Sequence, residues 1–114
     1  MDSSIRKKRF ILSGAEYYAQ HLYITSAVLP IKLTEKEIEV LSLFMYKKSF
    51  NKQTREYIKD TLALSSASLS IYIKNLLRKG YIKRGIDDSY EVHDIVKVEN
   101  GRIEYIFVLE KQSE

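Results

Sequence analysis

The side chains with the most chemistry to offer in this sequence are cationic, and they are gathered in one block. Residues 47 to 84 hold 10 Lys or Arg against 2 Asp or Glu, a local balance of +8, whereas residues 1 to 46 stand at +1 and residues 85 to 114 at −5. Such a lopsided block is the footprint of a polyanion-binding surface, because clustered ammonium and guanidinium groups displace the counterions of a phosphate backbone. Lys52, Arg55, Lys74, Arg78, Lys83 and Arg84 are the candidate phosphate contacts, with Lys79 beside them. Other chemistries find little to work with. His21 and His93 have no HxxxH or HxH spacing, cysteine is absent, and no Ser/His/Asp set, carboxylate pair or glycine-rich phosphate loop occurs at workable spacing. The expectation is a protein that is not an enzyme and needs no metal or cofactor.

The elements that must position these cations can be traced along the chain. At 114 residues the length suits one domain with its own core, divided into a basic arm over 1–12, containing "RKKR", and a domain over 13–114. A first helix is expected over 13–29, capped by Ser13 or Gly14, with Tyr18, Leu22 and Leu29 near one face and Pro30 ending it. "KLTEKEIEVLSLFMYKK" is the clearest signal: Thr34 and Glu37 form a T-x-x-E capping box, and Leu33 can staple onto Ile38. Ile38, Val40, Leu41, Phe44 and Met45 make this helix apolar around most of its girth, which predicts the central core helix.

"KKSFNKQ" is a loop, followed by a short helix over 54–62 that buries Tyr57, Ile58 and Leu62. After the turn "ALSS", a helix over 66–79 begins at Ser65 as its cap and stops at Gly80. The period then changes to alternation. "YIKRGI", "YEVHDIVKV" and "RIEYIFVLE" read as strands, and Asn100-Gly101 predicts a hairpin that sets Val98 against Ile103, Lys97 against Glu104 and Val96 against Tyr105. The fold class is therefore α+β: a three-helix core and a small antiparallel sheet, preceded by an extra N-terminal helix.

"LTEKEIEVLSLF", "LALSSASLSIYIKNLLRKGYIKR" and the strands after them resemble the winged helix-turn-helix domains of MarR-type regulators over roughly residues 33 to 109, and are similar to small winged-helix proteins that bacteriophages encode. The resemblance implies a DNA-binding transcriptional regulator whose helix 54–62 crosses the DNA backbone while helix 66–79 enters the major groove. At about 100° per residue, Leu69, Tyr72, Ile73 and Leu76 face the core, and Ala67, Ile71, Lys74 and Arg78 lie opposite, flanked by Ser70 and Asn75. Ser66, Ala67, Ser68, Ser70 and Ile71 would be nearest the bases. Strongly discriminating Arg, Asn and Gln side chains are missing from these first turns, so weak or shape-based reading of duplex DNA is expected.

Some features depart from the family pattern. The first sheet turn carries Asp87, Asp88 and Glu91 where a wing usually offers cations, and Arg102 at the second hairpin tip is the candidate replacement. The C-terminal dimerisation helices of MarR-type proteins have no counterpart, so Tyr17, Tyr18 and Tyr23 mark the N-terminal helix as the candidate homodimer interface. Ile71 and the acidic wing also suit a different use, a winged-helix module docking on a protein in a transcription, replication or phage assembly complex. No stretch approaches the roughly 20 apolar residues of a membrane span, which predicts a soluble, cytoplasmic protein.

Overall fold

Thr34 and Glu37 form the capping box that their spacing predicts. In the computed structural model, which describes residues 5–86, 89–99 and 101–113, Thr34 Oγ1 accepts from the Glu37 N–H at 3.2 Å and Glu37 Oε1 accepts from the Thr34 N–H at 2.7 Å. In chain order the elements are α1 (Ala15–Val28), α2 (Glu35–Lys47), α3 (Lys52–Leu62), α4 (Ser66–Lys79), β1 (Ile82–Arg84) and β2 (Tyr90–Val92). Among the described residues the architecture is α+β, four helices with a two-stranded antiparallel sheet.

Each helix ends for a local reason. Leu29 is extended before Pro30, as the proline ring requires of the residue preceding it, and α1 stops at Val28. Helices α2, α3 and α4 end on left-handed residues, Lys48 (φ 57°), Ala63 (φ 54°) and Gly80 (φ 83°). Gly80 adopts this conformation freely, whereas Lys48 and Ala63 carry a Cβ into it at about 1 kcal/mol each. Helix α3 starts two residues ahead of the expected Thr54 because Asn51 caps it, Oδ1 accepting from the Thr54 N–H at 2.9 Å. Helix α4 has its expected bounds, with Ser65 Oγ accepting from the Ser68 N–H at 3.1 Å.

The core is built on α2. Ile38, Val40, Leu41, Leu43, Phe44 and Met45 are all buried, and Leu33 joins Ile38 as the staple requires. Leu22 comes onto them from α1, Ile58 from α3, Leu69, Ile73 and Leu76 from α4, and Tyr81, Ile82 and Val96 close the far side. Each such side chain contributes roughly 1.5–3 kcal/mol when fully buried. Tyr57, an expected core residue of α3, is instead 38 % exposed, with Lys47 Nζ 4.1 Å from its ring centroid. The buried polar groups are satisfied: Tyr81 Oη donates to the Ile31 carbonyl at 2.6 Å, and Ser26 Oγ accepts from the Leu33 N–H at 2.8 Å. Among the described residues, no buried side-chain polar atom lacks a partner.

Glu37 has a second role beyond its cap. Its carboxylate, 2 % exposed, accepts from Lys79 Nζ at 2.6 Å and so ties the start of α2 to the end of α4. Burial alone would raise this carboxyl, but the hydrogen bonds from Lys79 and from the Thr34 backbone outweigh it and hold the group below the usual carboxylate range.

Strands β1 and β2 pair Ile82 with Val92, Lys83 with Glu91 and Arg84 with Tyr90. The expected second hairpin is not observed. None of the described residues after Val92 lies in a strand, and Asn100, at its predicted tip, falls outside the described residues together with Asp87 and Asp88 of the acidic wing. Lys97 and Glu104, expected to pair across that hairpin, pair along the chain instead, Lys97 with Glu99 at 3.6 Å and Glu104 with Arg102 at 2.7 Å. A turn at 93–97, closed by Val96 and Lys97 N–H groups on the His93 carbonyl, carries Val96 into the core and away from a strand register. Val96 and Tyr105 still meet, through His21. Its Nε2–H donates to the Val96 carbonyl at 2.8 Å, leaving Nδ1 to accept from the Tyr105 hydroxyl. The Cα radius of gyration, 16.5 Å, exceeds the ~13 Å of a compact chain of this length. Segments 5–12 and 101–113, largely exposed and without helix or strand, lie outside the packed elements.

Candidate nucleic-acid interface

Helix α3 repeats basic residues on one stripe, Lys52, Arg55 and Lys59, because spacings of three and four return to the same face. That stripe borders α4 across the three-residue turn 63–65. Between the helices opens a cleft of about 370 Å³, lined by Lys52, Arg55, Glu56 and Lys59 from α3, by Ser66, Ser70 and Lys74 from α4, and by Tyr90 of β2. Four cations converge on one concave surface with a single carboxylate, Glu56, among its lining residues. Glu56 is committed to Lys59 Nζ at 2.7 Å, and that hydrogen bond holds its carboxyl below the usual range.

The outward face of α4 is arranged as its periodicity predicts. Ser66, Ala67, Ser70, Ile71, Lys74 and Arg78 are exposed, while Ser68 and Asn75 are half-buried. Two of the serines have partners within the fold. Ser66 Oγ accepts from Lys59 Nζ at 2.9 Å, and Ser68 Oγ accepts from the Ser65 hydroxyl at 3.0 Å. Ala67, Ser70 and Ile71 remain as the side chains that an incoming surface would meet first, and Ile71 is 58 % exposed.

The rest of the basic block is divided among other tasks. Lys79, expected beside the phosphate contacts, is bound to Glu37 and to the Lys32 carbonyl, because the last turn of α4 packs over the start of α2. Lys83 on β1 faces two acids, Glu91 at 3.6 Å and Asp94 at 3.7 Å, which offset its charge. Arg84 stands over the Tyr90 ring at 5.6 Å. Arg102 is 83 % exposed in its side chain and paired with Glu104, on a segment without the hairpin that was to present it as a wing tip. Lys59 joins the site beyond the residues that the sequence pattern pointed to, its place four residues after Arg55 setting it on the same stripe.

The three tyrosines of α1 differ in situation. Tyr18 packs half-buried against the core with Tyr17 edge-on to it at 5.0 Å, and Tyr23 is 43 % exposed. His21 is buried and hydrogen-bonded within the fold. Among the described residues no helix is long and apolar enough to cross a membrane. No protein-family model, no curated protein and no solved structure matches this chain.

Proposed function

We propose that this chain is a winged-helix DNA-binding protein, a cytoplasmic transcriptional regulator of bacterial or phage origin, with α2, α3 and α4 as its three-helix core and β1–β2 as a reduced wing. The observation that carries the reading is the convergence of Lys52, Arg55, Lys59 and Lys74 on the cleft between α3 and α4, next to an α4 start made of small residues. Duplex DNA would receive the first turns of α4 in its major groove, with Ala67, Ser70 and Ile71 near the bases. Phosphates would meet Lys52, Arg55, Lys59, Lys74 and Arg78. Ala67 and Ile71 suit thymine methyl groups, and the lack of a bidentate base-reading side chain makes the binding sequence-tolerant. Lys59, Lys83 and Arg102 contribute less than their charges suggest, since each faces an acid. The reading assigns no catalytic step, metal or cofactor.

The exposed Ile71 favours a second reading, in which α4 docks on a protein. The experiment that separates the two is gel mobility with random duplex DNA at low salt, using the full chain and a Lys74→Glu/Arg78→Glu variant. Both residues are exposed, so the variant keeps its fold, and the DNA reading expects it to lose the shift that the unaltered protein gives. An intact shift in the variant, or none in the unaltered protein, overturns that reading in favour of the protein-docking one.

A further inference from the structure

Residues 101–113 run without helix or strand, and their apolar side chains stand in solvent: Ile106 is 88 % exposed, Phe107 64 %, Val108 76 % and Leu109 100 %. The stretch is anchored at Tyr105, whose hydroxyl meets His21 Nδ1 and whose ring stacks on the imidazole. The Tyr105 and Phe107 rings lie nearly parallel, 6.3 Å apart, the same-side relation of residues i and i+2 in a strand. Among the described residues, the backbone of 101–113 makes no backbone hydrogen bond. A segment without backbone pairing whose apolar side chains stand in solvent is the form that recruits another strand.

The order of the residues selects the partner. Turned antiparallel about Ile106, the segment Arg102–Glu110 is largely self-complementary: Arg102 falls opposite Glu110 of the second copy, Ile103 opposite Leu109, Tyr105 opposite Phe107 and Ile106 opposite Ile106, with Glu104 against Val108 as the one mismatched pair. A slip of one residue sets Arg102 against Leu109 in one direction and against Lys111 in the other, so this register, unlike its immediate neighbours, joins the charged ends. We propose that this segment is a homodimerisation strand, pairing antiparallel with a second copy of the chain across a two-fold axis at Ile106. The proposal is independent of DNA binding and differs from a dimer made through α1.

Because the chain contains no cysteine, single thiols can test the register in the full-length protein. Paired Cα atoms at the axis stand about 4.5–5.5 Å apart, within the reach of a disulfide, whereas Leu109 lies about 20 Å from its own copy. Sedimentation is expected to show a dimer. Under mild oxidation Ile106→Cys is expected to cross-link to itself and Leu109→Cys to fail, while Ile103→Cys mixed with Leu109→Cys forms the heterologous pair. Ile106→Pro is expected to give a monomer with unchanged far-ultraviolet circular dichroism, since the residue lies outside the core. The proposal is overturned by a monomer at all accessible concentrations, by Leu109→Cys cross-linking as readily as Ile106→Cys, or by a dimer that dissolves when residues 1–12 are deleted, which would assign the pairing to the basic arm.

Discussion

Replacing Lys79 with Met separates a structural cation from a DNA-binding one. The substitution keeps the aliphatic stem and removes the ammonium that sits 2.6 Å from Glu37 Oε1. Glu37, 2 % exposed, would then keep its charge with the Thr34 N–H as its remaining donor. Breaking a fully buried pair costs about 3–5 kcal/mol. The Lys79 side chain is 18 % exposed and admits some water, so a cost of about 2–3 kcal/mol is expected. At about 4 °C per kcal/mol for a domain of this size, the melting temperature should fall by roughly 10 °C. The pH dependence has a defined sign. Glu37 is held below its ordinary value in the fold, so its contribution is present above the unfolded carboxylate value of about 4.3 and is lost as pH falls through the folded value. The variant's deficit should therefore be full at neutral pH and shrink in acid. Adding Glu37→Gln to the variant should recover most of the loss, and DNA affinity should be unchanged by Lys79→Met. A deficit under about 0.5 kcal/mol, or one that stays constant through the acid range, would refute the assignment of Lys79 to the fold.

Ala63→Gly should raise stability by about 0.5–1 kcal/mol, because it relieves a Cβ from the left-handed turn between α3 and α4; chemical denaturation showing a loss instead would contradict that geometry. Burial is the larger influence on His21 and holds its pKa below the ordinary imidazole value, against the hydrogen bond to Val96. Its stabilising contribution is therefore present above the unfolded value of about 6.5 and declines as pH falls toward the folded value. Thermal melts across that window should show this decline in the unaltered protein and a flatter profile in His21→Gln; identical profiles would refute the role. Ile71→Ala should cost on the order of 1 kcal/mol on a preferred DNA site and little on random duplex. Equal losses on both, measured by fluorescence anisotropy, would argue against base contact.

The helical half of the fold was legible because its signals are local. The Thr34–Glu37 box, the Ser65 cap and Gly80 each act within four residues, and the α4 bounds follow from them. The strands were less legible, because alternation of apolar and polar residues does not reveal whether a partner strand is in reach. "RIEYIFVLE" has the composition of a strand, yet the turn at 93–97 bends the chain away from the register that Asn100-Gly101 suggested. For the candidate site, sequence located the cations on their helices but not their commitments across the fold. Lys79 answers to Glu37, 42 residues away, a pairing visible only once α2 and α4 are packed. Lys59 was legible from spacing with Lys52 and Arg55, and its contact with Ser66 across the turn emerged only with the helices in place.

The central claim is that α3 and α4 together form a phosphate-binding surface, and the salt dependence of binding to random duplex DNA tests it most directly. Lys52, Arg55, Lys74 and Arg78 remain for the backbone, with Lys59 as a fifth once phosphate displaces Glu56 from it. At about −0.9 per phosphate neutralised, log K should fall against log salt with a slope of roughly −4 to −5. Lys74→Gln and Arg78→Gln should each make that slope about one unit shallower. No binding at low salt, or a slope near zero, would contradict the account.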